Sequence, residues 1–105
     1  MQLTSYLQDG KLTIVLTGEI DHHCAKHFIH TITGKIEAYT PQICILDFQE
    51  VSFMDSSGIA VVINAYRTLS KMNSKLQVMG LRDQPLKVFR ASGVDKLIEL
   101  QEGVK

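Results

Sequence analysis

A chain of 105 residues, 45% apolar and 21% charged, is one domain's worth of ordinary globular sequence, which excludes a disordered or collagen-like protein. Eleven basic and eleven acidic residues cancel, so no global field draws it to nucleic acid or an anionic membrane. A chain of this size buries only about two-thirds of its unfolded surface, which leaves little volume for a deep enclosed active site.

The chain opens with Leu3, Ser5 and Leu7 in alternation before Asp9-Gly10, a turn dipeptide. This start carries charge by residue 9 and reads as a strand, not a signal peptide. Leu12, Ile14 and Leu16 then alternate against Thr13, Val15 and Thr17, a half-buried strand that Gly18 is expected to close. Asp21 offers a carboxylate cap to a helix whose apolar stripe runs Ala25, Phe28, Ile29, Ile32, Ile36 and Tyr39. Thr40-Pro41 stops it. Ile43, Cys44, Ile45, Leu46 and Phe48 form a nearly continuous apolar run, as a strand covered on both faces would.

Val51-Ser52-Phe53-Met54 leads from that strand to Asp55-Ser56-Ser57-Gly58, a cluster of helix-capping residues. Ile59, Val62, Ile63, Tyr66 and Leu69 continue at helical spacing, and Asn73-Ser74 breaks the helix. Leu76, Val78 and Gly80 predict another strand. Asp83 and Pro85 open a third helix that Gly93 terminates, and Leu97, Ile98 and Leu100 make a short last strand or turn. The order ββαβαβα implies an α/β fold, a mixed and mostly parallel sheet of four to five strands with helices packed against it. No linker or repeat interrupts it, so residues 1–105 read as a single domain. No apolar run approaches the roughly eighteen residues of a membrane span. Cys24 and Cys44 sit in apolar periodic segments as buried free thiols, a usage that suits a reducing cytoplasm.

The neutral total conceals an asymmetry. Residues 1–52 carry three bases and six acids, and residues 53–105 carry eight bases and five acids. Ordinary scatter explains this, and so does an acidic first-half surface that meets a basic partner.

Among candidate chemistry, His22, His23, Cys24, His27 and His30 crowd nine residues. On a helical wheel His23, His27 and His30 fall within about 60° of one another, opposite the core stripe. Such a stripe attracts zinc or nickel, but it lies on a convex, solvated helix back without orienting partners, so no metal site is assigned. Ser56 and Ser57 lack a Gly-x-Ser-x-Gly frame, and no Gly-rich loop follows the first strand to cradle phosphates. No catalytic residue and no cofactor are assigned.

A helix cap accounts for one small polar residue at Asp55 or Ser56. It does not account for Asp, Ser, Ser and Gly in succession after two apolar residues, Phe53 and Met54, expected to be exposed. Ser52-Phe53-Met54-Asp55-Ser56-Ser57-Gly58 resembles the phosphorylation-site motif of the STAS domains, in particular the anti-sigma factor antagonists. Thr17-Gly18-Glu19-Ile20-Asp21-His22-His23 resembles the loop between the second strand and first helix of the same family, and its paired histidines are closest to the sporulation-type branch, the anti-sigma F factor antagonists. The resemblance runs over essentially the whole chain. Ile59-Ala60 departs from it, where many members have Leu-Gly.

The resemblance implies a cytoplasmic partner-switching protein without catalysis of its own. The unphosphorylated form binds an anti-sigma factor that is also a serine kinase and so releases the sigma factor to transcription. Phosphorylation at Ser56 ends that binding, and a serine phosphatase acting on the phosphoserine resets it. A monomer when free is expected, with no nucleic acid and no membrane among its partners. The alternative within the same resemblance is a STAS interaction subunit of a membrane transport assembly without phospho-switching. In a parallel sheet the loop after the second strand and the start of the second helix open on one edge. The expected partner-binding residues there are Glu19, Asp21, His22, His23, Met54, Asp55, Ser56, Ser57, Gly58 and Ile59.

Overall fold

The computed structural model describes the backbone of residues 2–101 and the side chains of residues 3–98. Strands β1 (Gln2–Gln8) and β2 (Lys11–Ile20) precede helix α1 (Ala25–Tyr39), strand β3 (Ile43–Met54) and helix α2 (Ser56–Lys71). Strand β4 (Lys75–Met79), helix α3 (Asp83–Ser92), a 3-10 turn at Val94–Lys96 and strand β5 (Glu99–Gln101) follow. The five strands form one sheet in the order β1-β2-β3-β4-β5, with β1 antiparallel to β2 and every other pair parallel. Each parallel connection advances one strand in the same direction, so right-handed crossovers place α1, α2 and α3 side by side on one face. α1 packs on α2 and α2 on α3.

The first hairpin follows from Asp9-Gly10. Both residues take positive φ, 53° and 80°, the signature of the two-residue turn whose twist matches the strands it joins. Gln8 then pairs with Lys11, and the register fixes Leu12, Ile14 and Leu16 toward the helices. Those three side chains, with Cys44, Leu46 and Phe48 of β3 and Leu76 and Val78 of β4, meet Phe28, Ile32 and Ile36 of α1 and Val62, Ala65 and Leu69 of α2 in one core.

Four expectations need correction. β3 is covered on one face only: Ile43, Ile45 and Asp47 are half-buried on the helix-free side, because all crossovers run to the other. Gly18 does not close β2, which continues to Ile20 through two register shifts against β3. Tyr39 leaves the core stripe and is exposed at the end of α1. Asp21 is not the cap of α1, which begins four residues later behind Cys24.

The register shifts reshape the end of β3. Between the pairs Val15↔Asp47 and Ile20↔Met54, β3 spends more residues than β2, with Ser52 the unmatched residue of the second shift. Extra residues of this kind bend a strand and reset its alternation. Val51 accordingly points in, Ser52 and Phe53 both point out, and Met54 points in again.

Candidate functional site

The C-terminal ends of β2 and β3 lie side by side, with Glu19 opposite Phe53 and Ile20 opposite Met54. The Asp55 amide donates to the Ile20 carbonyl at 3.2 Å, which ties the start of the β2–α1 loop to the start of α2. The two segments singled out in the sequence therefore share one edge of the sheet, as the parallel topology requires.

Asp55 is extended, at φ −106° and ψ −165°, and its Oδ1 accepts the Ser57 amide at 2.7 Å. This is a helix cap that satisfies one of the free donors of the first turn. The Asp55 carbonyl accepts the Gly58 amide at 2.9 Å and closes that turn. Ser56, the first helical residue, is exposed; Ser57 is half-buried.

Three of the expected contact residues are not at the surface. Met54 has no exposed area, Gly58 is buried and Ile59 is 8% exposed. Met54 turns inward because Ser52 resets the strand's alternation, and Gly58 lies against it: a Cβ there would stand 2.8 Å from the Met54 sulfur. Ile59 belongs to the core stripe of α2. The exposed apolar side chain at this edge is Phe53, 39% accessible.

The preceding loop is built by Asp21. Its Oδ1 accepts the His23 amide at 2.9 Å, and its carbonyl accepts the amides of Cys24 and Ala25 at 3.2 and 3.0 Å. The His23 amide holds the Asp21 carboxyl below its ordinary value; partial desolvation opposes this, and the Cys24 backbone and thiol and the nearby His23 ring add to the lowering. The Cys24 sulfur accepts the Asp21 amide and donates to the Glu19 carbonyl, both at 3.4 Å, which secures the loop from beneath. Glu19, His22 and His23 are exposed, and the two imidazoles stack at 4.1 Å between centroids. Gly18, Glu19, Asp21, His23, Cys24 and Ser52 line a shallow open depression.

The histidines do not form one helical stripe, because His23 lies in the turn before α1 while His27 and His30 are exposed on the helix. Among the described residues no three His, Cys, Asp or Glu side chains are gathered in metal-binding geometry. No described helix is long and apolar enough to cross a membrane. Both cysteines are buried and free, and burial pushes the Cys44 thiol up to about 12.

Sequence reasoning missed Gln84. Its Oε1 accepts the Met54 amide and its Nε2 donates to the Met54 carbonyl, each at 2.9 Å. Nothing in the local pattern at the start of α3 signals a contact thirty residues away.

An exposed serine behind a capping aspartate lies on a shallow edge, beside an acidic loop and one apolar side chain. That edge has neither the enclosure nor the convergent polar groups of a small-molecule pocket. The STAS domain family model matches residues 2–105, and the chain belongs to that family. It is 30% identical over 93 residues to the anti-sigma-B factor antagonist of Listeria monocytogenes, covering 86% of this chain and 78% of the relative. It is 24% identical to the anti-sigma F factor antagonist of Paenibacillus polymyxa, covering 89% and 80%. The solved structure of the Bacillus cell fate determinant SpoIIAA in its phosphorylated form superposes with a TM-score of 0.72 at 25% identity, covering 98% of this chain and 94% of that one.

Proposed function

We propose that this chain is an anti-sigma factor antagonist, a cytoplasmic binding protein without catalysis of its own. Its unphosphorylated form binds an anti-sigma factor with serine kinase activity and releases the sigma factor. Phosphate on Ser56 ends the binding, and a serine phosphatase restores it. The observation that carries this reading is the exposed Ser56 at the first turn of α2, directly behind the capping Asp55 and joined through it to the Asp21 loop. Relatives named as antagonists of anti-sigma-B and anti-sigma F factors support it, as does the phosphorylated state of the Bacillus structure. The paired His22 and His23 favour the sporulation-type partner.

The physics of the site explains how the switch works. A hydroxyl on the first turn is within a kinase's reach without unfolding. The phosphate brings about −1.5 to −2 charges to the positive end of the α2 dipole, a favourable place, so the domain stays folded. Its effect falls on the partner: charge and bulk added beside Glu19, Asp21 and Asp55 repel a surface shaped for a neutral hydroxyl.

Titration calorimetry of the unphosphorylated chain against anti-sigma factor kinases of the F and B types tests the proposal. Saturable one-to-one binding to one of them is expected. Heats of dilution alone with both would refute it.

A further inference from the structure

β3 is twelve residues long, and β4 pairs with it only from Ile43 to Asp47. From Phe48 to Met54 the β4-side edge of β3 has no strand to bond. An extended residue points its N–H and C=O to the same side. The Asp55 amide turns to β2, where it bonds the Ile20 carbonyl, so the Met54 pair faces the vacant edge. Both groups belong to a buried residue and need partners.

The chain after β4 supplies them. Gly80, at φ 79°, lets the backbone pass so close to Gln49 that a Cβ would stand 2.6 Å from its amide nitrogen. Arg82 donates to the Gln49 carbonyl at 3.1 Å. Gln84 then presents its carboxamide to Met54 as a single peptide unit would, accepting the N–H and donating to the C=O. The side chain stands in for the missing strand at the last residue before the Asp55 cap.

We propose that Gln84 is a positioning residue for the Ser56 site. It fixes the Met54 peptide, and through it the Asp55 carboxylate that holds the Ser57 amide in the turn that carries Ser56. It touches no partner itself. The functional consequence rests on the reading of Ser56 as the switch residue; the structural claim does not.

The test is amide hydrogen exchange by NMR on the free protein, wild type against Gln84→Met, which keeps the side chain's length and removes both hydrogen bonds. Protection of the Met54 and Ser57 amides is expected to fall about ten-fold, as the loss of a buried hydrogen bond implies, with Leu46 and Val78 unchanged. Unchanged Ser57 protection would overturn the proposal, because Gln84 would then brace the strand without governing the cap. Should Gln84→Met lower protection at Leu46 and Val78 too, Gln84→Glu, which keeps the Met54 amide's acceptor and loses only the donor to its carbonyl, is read at the Ser57 amide alone: a fall there with Leu46 and Val78 unchanged supports the proposal, and unchanged Ser57 protection overturns it. With the cognate kinase, kcat for Ser56 phosphorylation should fall about ten-fold while KM stays within about two-fold, as misorientation without lost docking predicts. A wild-type chain that no anti-sigma kinase phosphorylates would refute the function above, and the Ser57 amide would still decide the role of Gln84.

Discussion

The backbone amide of Asp55 donates to the carbonyl of Ile20 at 3.2 Å, across thirty-five positions of sequence. That bond fuses the acidic β2–α1 loop and the first turn of α2 into one surface. On the proposed function, a partner that docks at Ser56 also meets Glu19 and Asp21.

The rim charges should matter for docking in a way that distant charges do not. Glu19 is exposed and its carboxylate serves no cap, so Glu19→Lys tests charge without a folding penalty. It is expected to weaken kinase binding by more than about 1 kcal/mol, against about 0.5 kcal/mol or less for an ordinary surface change. Glu37→Lys, at the opposite end of α1, should do almost nothing. Calorimetric affinities in the reverse order would place the partner elsewhere.

Asp21 gives the loop a pH limit. Its carboxyl is held below the ordinary 3.8, chiefly by the His23 amide, so its contribution is present above that value. It is lost as pH falls through the lowered folded-state value. The His23 amide resonance should therefore shift with an inflection below 3.8, and Asp21→Asn should abolish the inflection while keeping the loop. An inflection at or above that ordinary value would contradict the hydrogen-bond assignment.

Gly58 is set by packing. Gly58→Ala gains up to about 1 kcal/mol of helix propensity. It also drives a Cβ to 2.8 Å from the Met54 sulfur, and crowding of this kind costs about 1–3 kcal/mol. A net loss of about 1 kcal/mol in denaturant unfolding is expected, reduced when Met54→Ala removes the sulfur. Additive losses would show that the contact is not the cause.

Much of this was legible in the residues. Asp9-Gly10 announces its hairpin, the α1 and α2 stripes name their buried faces, and Asp55 is the cap its position suggests. The inward turn of Met54 was not legible, because Phe53 and Met54 are equally apolar and an unmatched residue at Ser52 sets which one faces the core. That bulge depends on pairing with β2, a non-local event without a local signature. Asp21 misled for a related reason: its carboxylate does bond a backbone amide, but in a turn two residues on, ahead of the helix. Gln84 was invisible because the vacancy it fills exists only once β4 stops short of Met54.

The account turns on Ser56. Incubating the chain with its anti-sigma kinase and ATP, mapping the phosphopeptide and then measuring affinity tests it most directly. The account predicts one phosphate, on Ser56, with binding lost while circular dichroism stays unchanged, and Ser56→Ala binding constitutively. Phosphate on Ser57, or a phosphorylated Ser56 that binds the kinase as tightly as before, would contradict it.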